Sequence, residues 1–372
     1  MSEIVISGSG VYTPPESISN EELAASFNSY VRQFNQFREK EISAGEIEPL
    51  RESGPDFIYD VSGIRSRYVV NKEGILDPGI MRPKIREYSD EGKSIQAMMG
   101  EHAGREALNR ASRRPEDVDA VITACTAVQR LYPPVSIEIQ KFLGAAGFAL
   151  DLQAACSSMP FGIQTAADAV RQGSANSAVV ISPEICTARV DFRDRESHFL
   201  FGDAGAAVVI ERKETSNSGH AFEILSTRLR TTFSETVSNR FGFLNQASMD
   251  NISSDAFFRQ EGKRLFRDIV PLASDFIREH LDESGVKIAA LRRLWLHQAN
   301  RHINGLIGKR IFGREATPEE VPIILDEYAN TSSAGAIIAF NKHNKDLKKG
   351  DMGLICAFGA GYSIGSVLLR KL

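Results

Sequence analysis

Apolar residues recur at helical spacing through residues 94–111, where Ile95, Met98, Ala103 and Leu108 share a stripe. Residues 118–124 then form a short, almost wholly apolar run. The first pattern predicts an amphipathic helix, the second a buried strand. The alternation continues with a helix over 136–143, a strand over 148–152, a helix over 157–172 that Gly173 is placed to end, and a strand over 178–182. Helices and strands in turn are the pattern of an α/β fold.

The second part of the chain repeats this order. A helix is predicted over 263–281, a strand over 294–297, a helix over 303–312, a strand-like stretch over 321–325, a helix opening near Asn330 and a last strand over 352–358. KFLG at 141–144 stands where KRIFG stands at 309–313, and AACSS at 154–158 where YANTSS stands at 328–333. Identity between the halves is low, so the order of elements is what suggests a duplication. The expected organisation is two similar α/β halves, residues 1–212 and 213–372, with 213–220 as their joint. Residues 30–54 and 234–255 fall outside the repeat and are expected to be surface excursions that shape a binding entrance.

Composition narrows this only a little. A chain of 372 residues, 42% hydrophobic and 25% charged, suits two packed units or one large layered fold. A net charge of −4 provides no global field for nucleic acid, so no nucleic-acid partner is expected. The start MSEIVISGSG has neither the basic region nor the long apolar region of a signal peptide, and no apolar run approaches the roughly 20 residues of a membrane span. The expected location is cytoplasmic. Cys125, Cys156, Cys186 and Cys356 form no CxxC pair and no metal-like spacing with histidine, so free thiols are expected and a metal is not.

Three residues are candidates for chemistry. Cys156 falls between a strand and the start of a helix, where unsatisfied backbone N–H groups favour a thiolate, and small residues follow it. A buried cysteine acting only as a small hydrophobe is the alternative. His297 ends the apolar run Leu294-Trp295-Leu296, at the mouth of a strand, where α/β folds place site residues. Asn330 opens the helix that the repeat makes equivalent to the one after Cys156, although asparagine is also a common helix cap. Together, and with the glycine-rich turn Gly359-Ala360-Gly361 as a source of backbone donors, they can form a thioester and stabilise an enolate.

With these motifs the chain resembles β-ketoacyl-ACP synthase III of the thiolase-fold condensing enzymes. The marks are SGIRSRYVV (62–70), QAACSSMPFGIQTA (153–166), FGDAGAAVV (201–209), HQAN (297–300), ANTSSA (329–334) and AFGAGYSIGS (357–366), in the family's order. The resemblance implies a layered αβαβα thiolase fold. It also implies that Cys156 takes an acyl group from acyl-CoA, while His297 and Asn330 hold the thioester carbonyl of malonyl-ACP during decarboxylation. The backbone N–H groups of Cys156 and Ala360 would form the oxyanion hole. CoA and acyl carrier protein (ACP) thioesters would be the substrates, without a cofactor.

Further positions follow from the same resemblance. Phe57 and Arg195 match the groups on either side of the CoA adenine, while Val61 stands where some members have arginine. Asn300 and Phe358 fall among the substrate-binding positions. Tyr132 matches the residue that closes the partner's acyl pocket, which implies a homodimer. Arg267, Lys309 and Arg310 occupy basic positions that meet the acidic carrier protein, and Arg301 and His302 share another such position. Ala329 and Ala360 replace glycines usual in the family.

A thiolase would need a second cysteine in the terminal segment, and Cys356 is one place out of register, which turns a strand side chain to the other face. A two-histidine synthase would need histidine at Asn330. Ketosynthases of secondary metabolism and enzymes joining two long acyl chains share the Cys-His-Asn set and stay open as alternatives. The long excursions and the small residues Ser157, Ser158 and Gly162 suggest a medium-chain primer.

Overall fold

The computed structural model describes residues 3–239, 242 and 257–372. In chain order the strands are β1 (Ile4–Tyr12), β2 (Glu16–Ser19), β3 (Ser66–Val69), β4 (Ala120–Ala124), β5 (Phe148–Leu152), β6 (Ser177–Ile185), β7 (Asp203–Arg212), β8 (Phe222–Ser234), β9 (Val237–Ser238), β10 (Arg259–Gln260), β11 (Leu291–Leu296), β12 (Met352–Gly359) and β13 (Gly361–Lys371). The helices are α1 (Asn20–Phe37), α2 (Glu39–Ser43), α3 (Pro55–Ser62), α4 (Glu73–Leu76), α5 (Ile95–Ala111), α6 (Val135–Leu143), α7 (Ser158–Gln172), α8 (Gly262–Glu283), α9 (Arg301–Phe312), α10 (Leu325–Tyr328) and α11 (Ala334–Lys342).

Nine strands form one hydrogen-bonded sheet in the order β11-β12-β13-β8-β1-β7-β6-β4-β5. Its middle is thin, because β1 and β8 pair only at Val5↔Glu223 and Ile6↔Phe222. On one side of that join lie strands from residues 4–212, on the other strands from residues 222–371.

Strand residues alternate between two cores, as a pleat requires. Val121, Val179 and Val209 pack with α5 and α6, whereas Ile122, Val180 and Val208 pack with α7 and α11. Leu294, Leu354 and Leu368 of the second half pack with α8 and α9, while Trp295, Ile355 and Val367 turn to the same α7–α11 layer. Helix α11 therefore has no polar face to spare: Ala334, Gly335, Ala336, Ile337, Ile338, Ala339, Phe340 and Asn341 are all buried. The result is five layers, αβαβα, with α7 and α11 in the middle.

Several expectations need correction. Residues 321–325 form no strand. Pro322 lacks the N–H a ladder needs, and one backbone bond, Leu294 N to Glu320 O at 2.8 Å, tethers the segment to the edge of β11. Gln298 holds the rest, donating to Pro322 O (3.4 Å) and accepting from Ile324 N (3.0 Å). Strand 352–358 is not the last, since β13 follows it and pairs back antiparallel. The helix after Asn330 opens only at Ala334.

With only Val31 and Ser53 buried, residues 30–54 lie almost wholly at the surface, as expected of an excursion. They complete α1, add α2 and fold back, fastened by Asn28 to both backbone groups of Ser53 and by Asn35 to both of Leu50. Most of the second excursion, 234–255, lies outside the described residues; its flanks pair as β9 and β10.

Candidate active site

Cys156 sits where the chain leaves β5 and enters α7. Ala155 before it takes a left-handed φ of 48°, an unusual conformation for a non-glycine residue. The small residues after it fasten this turn: Ser157 Oγ donates to Ala154 O (2.7 Å) and Ser158 Oγ to Ala155 O (2.7 Å). Gly162 packs α7 against β4 and β6, where an added Cβ would meet Ala124 Cβ and Val180 Cγ1 at 2.7 Å. These small side chains are thus used by the fold and leave no extra acyl room.

The turn from β12 to β13 presses on the nucleophile. A Cβ at Gly359 would lie 2.8 Å from Cys156 N and 2.9 Å from Cys156 Cβ, so only glycine permits this approach. The expectation of a resting thiolate is not met. Burial pushes the Cys156 thiol up to about 11, against a lowering by the Ser332 hydroxyl, which lies 3.3 Å from the sulfur. The thiol is the resting form at neutral pH.

His297 leaves the end of β11, its N–H bonded to Cys356 O at 2.8 Å. Burial lowers its imidazole to about 4, so it is neutral at pH 7. Its Nδ1 is buried and has no hydrogen-bond partner among the described residues. Asn330 is held by its backbone, N to Leu200 O (3.0 Å) and O from Gly202 N (3.2 Å). Its Oδ1 accepts from Ser332 N at 2.8 Å, which fixes the amide orientation and leaves Nδ2 as the donor. Ala329, just before it, holds φ 54° and ψ −158°, backbone that glycine adopts more easily.

These groups meet. Cys156, His297, Asn330, Phe358 and Ala360 line one cavity of ≈ 570 Å³. A smaller cavity of ≈ 120 Å³, which also reaches Cys156, is walled by Ala127, Ile185, Cys186, Phe201 and Phe258. Cys156 lines both cavities, as do Phe201, Val237, Phe258 and Ala360.

Residues 150–232 match the family 3-oxoacyl-[acyl-carrier-protein] synthase III, and residues 281–371 match its C-terminal domain. A β-ketodecanoyl-[acyl-carrier-protein] synthase of Pseudomonas aeruginosa is 50% identical over 347 residues, 93% of this chain and 99% of that one. The chain belongs to the 3-oxoacyl-[acyl-carrier-protein] synthase III family. A β-ketoacyl-[acyl-carrier-protein] synthase III of Agrobacterium fabrum is 31% identical over 92% of this chain and 99% of its own. The crystal structure of the synthase III from Aquifex aeolicus, 26% identical, superposes with a TM-score of 0.76 over 99% of each chain. The five-layered fold is the thiolase fold of these acyltransferases.

Of the other positions matched to synthase III, Phe57 and Asn300 line the larger cavity. The Arg195 guanidinium rests on the Phe57 ring, 3.9 Å from its centre, and its Nε donates to Glu52 O (2.8 Å). The two are closed on each other in this structure. The Asn300 amide is already engaged, accepting from His302 N as the cap of α9 and donating to Val61 O, both at 2.8 Å. Arg301 donates to the Tyr59 hydroxyl at 2.7 Å, and His302 Nε2 lies 2.8 Å from Asp60 O. Arg267 on α8 is exposed, and Lys309 on α9 is ion-paired with Glu315 at 2.5 Å; Arg310 beside it is exposed. Tyr132 is 81% exposed. Cys356 packs in the α8–α9 core, away from both cavities.

Sequence reasoning missed three residues. Ser332 touches the sulfur, Thr126 touches Ser332, and Glu184 accepts from Thr126. The run of small polar residues after Asn330 signalled a helix cap, and the predicted strand stopped two residues short of Glu184.

Proposed function

We propose that this chain joins a medium-chain acyl group, delivered by CoA, to the two-carbon unit of malonyl-ACP in fatty acid biosynthesis. The observation behind this reading is the single cavity shared by Cys156, neutral His297 and an Asn330 amide whose orientation is fixed by Ser332. Cys156 attacks the acyl-CoA carbonyl and retains the acyl group as a thioester. Malonyl-ACP then enters from the larger cavity, and its thioester oxygen takes hydrogen bonds from His297 and Asn330 Nδ2. Charge growing on that oxygen as CO₂ leaves is stabilised by these donors. The carbanion attacks the acyl-Cys156 carbonyl, whose oxygen turns to the N–H groups of Cys156 and Ala360.

The Pseudomonas relative is named for a ten-carbon product, which corresponds to an eight-carbon primer. An apolar cavity of about 150 Å³ takes up benzene, so the ≈ 120 Å³ cavity holds the first part of an eight-carbon chain and not the whole of it. The tail runs on past Val237 and Phe258, at the feet of the second excursion. Incubation with acyl-CoA donors of two to twelve carbons and malonyl-ACP tests this. Fastest turnover should come near eight carbons, and a maximum with acetyl-CoA would overturn the medium-chain assignment. Mass spectrometry should find the acyl adduct on Cys156 and none on Cys156→Ser.

The assembly we propose is a cytoplasmic homodimer. No described helix is long and apolar enough to cross a membrane. Strand β5 has one free edge, and beside it Leu131, Tyr132 and Phe148 are 62%, 81% and 40% exposed. Asp151 of β5 accepts from Val135 N and Ser136 N, which locks the Tyr132 segment to that edge. Light scattering at micromolar concentration should give twice the chain mass of 40.9 kDa.

A further inference from the structure

A chain of side-chain hydrogen bonds leads from the nucleophile into the protein. Ser332 Oγ lies 3.3 Å from Cys156 Sγ and contacts Thr126 Oγ1, which in turn donates to Glu184 Oε1 at 3.0 Å. Both Ser332 and Glu184 are 2% exposed. Glu184 Oε1 also accepts from Thr126 N (2.9 Å), Ser333 N (3.3 Å) and Ser182 Oγ (3.4 Å), so the carboxylate is held in place. Ser332 adopts φ 50°, a costly conformation for serine that sets its hydroxyl between the sulfur and Thr126.

Among the described residues, the hydrogen bond to the Cys156 sulfur comes from Ser332. The thiol is protonated at neutral pH, and His297 is held neutral by a burial that also makes it a poor proton acceptor. Burial raises the Glu184 carboxyl above its usual 4.5, which narrows the gap to a thiol. The titratable and charged groups around it are the Cys125, Cys156 and Cys186 thiols and the Arg189 guanidinium, the last lowering it.

We infer that Ser332, Thr126 and Glu184 form a proton relay that receives the Cys156 proton during acyl transfer from CoA. This rests on the acyl-Cys156 reading above and adds the base to it. In the resting site Ser332 Oγ donates to Sγ. As Sγ bonds to the acyl carbon that hydroxyl turns to Thr126, so the thiol proton passes to Ser332 Oγ, the Ser332 proton to Thr126 Oγ1 and the Thr126 proton to Glu184 Oε1. The bond from the acyl carbon to the CoA sulfur breaks, and its electron pair leaves with that sulfur. The proton returns through the same hydroxyls to the departing sulfur, which restores the carboxylate and releases CoA as a thiol. Ser332 contacts the reacting atom; Thr126 and Glu184 act through it.

Single-turnover acylation of Cys156 by octanoyl-CoA, followed by mass from pH 6 to 9 in H₂O and D₂O, tests the relay. Thr126→Val and Glu184→Gln should slow acylation at pH 7 at least tenfold and make the rate climb with hydroxide. Thr126→Ser should recover most of the rate, since it restores the hydroxyl. A plot of wild-type rate against deuterium fraction should curve, as several protons move together, and become straight in Thr126→Val. Malonyl-ACP consumption by enzyme already acylated should change less than threefold. Thr126→Val acylating within twofold of wild type, with an unchanged pH profile, would overturn the relay. So would Thr126→Ser failing as badly as Thr126→Val, which would mark a packing role. If Glu184→Gln does not fold, the two Thr126 variants decide. Failure of the wild type to acylate would instead reject the acyl-enzyme reading, and the relay with it.

Discussion

Replacing Gly359 by alanine should move the nucleophile without altering any reacting side chain. The new methyl would stand 2.8 Å from Cys156 N, 2.9 Å from Cys156 Cβ and 3.2 Å from Cys156 Cα. Carbon atoms pack best at about 3.5–4.0 Å, so the two segments must separate by roughly 0.6 Å or more. Both are backbone in extended or tightly turned structure, and neither can yield by a side-chain rotation. Overpacking of this kind costs about 1–3 kcal/mol of stability. A 1 Å misplacement at a reacting centre can cost about 100-fold in rate, so acylation should slow by roughly 10- to 100-fold. The assay is single-turnover acylation of Cys156 read by mass, with a thermal melt alongside. Gly219→Ala is the control, because a Cβ there meets nothing within 4 Å. Acylation of a folded Gly359→Ala variant within threefold of wild type would refute the close-approach argument.

Three further outcomes follow. Asn330→Asp keeps an oxygen for Ser332 N–H but removes the Nδ2 donor and turns a carboxylate toward the developing charge. Condensation should fall by about 10²–10³ while Cys156 still acylates, and equal loss of both steps would refute the assigned role. His198, His280 and His297 are all lowered to about 4 by burial, so between pH 6.5 and 4 the unfolded chain binds more protons and the fold weakens as pH falls. Asp203, raised to about 6, opposes this, but three histidines outweigh it. Urea midpoints should drop from pH 7 to pH 5, and a rise would contradict the assignment. Charge reversal at Arg267 and Lys309 together should raise KM for malonyl-ACP at low salt and leave KM for acyl-CoA unchanged. An unchanged KM for malonyl-ACP would remove these residues from the carrier surface.

The sequence pattern revealed elements wherever one segment's composition decided its structure. The run 118–124 is buried on both faces as β4, and Gly173 ends α7 in the left-handed conformation expected of it. The stretch 321–325 has the same apolar look, yet Pro322 and the Gln298 side chain give it a different course, and periodicity does not register a single missing N–H. Cys156, His297 and Asn330 could be picked out because their motifs are local, and the structure brings the three to one cavity. The thiolate expectation failed because a helix start is visible in sequence and the burial of a sulfur is not. Ser332 meets Cys156 across 176 positions, and Thr126 meets Ser332 across 206, so those contacts exist only once the two halves are packed.

The two ends of the nine-stranded sheet differ. At β11 the outer edge is occupied: Leu294 N bonds to Glu320 O, Arg293 Nε to Glu319 O, and the proline-bearing segment beyond offers no ladder. At β5 the edge is free. A sheet open at both ends could add copies of itself without limit and grow into a fibre. With one end stoppered, the homodimer proposed above would be closed, since an addition at β5, edge to like edge, would leave no open ladder for a further copy. The proline-bearing segment that stands beside β11 in place of a further strand would thereby cap the proposed assembly.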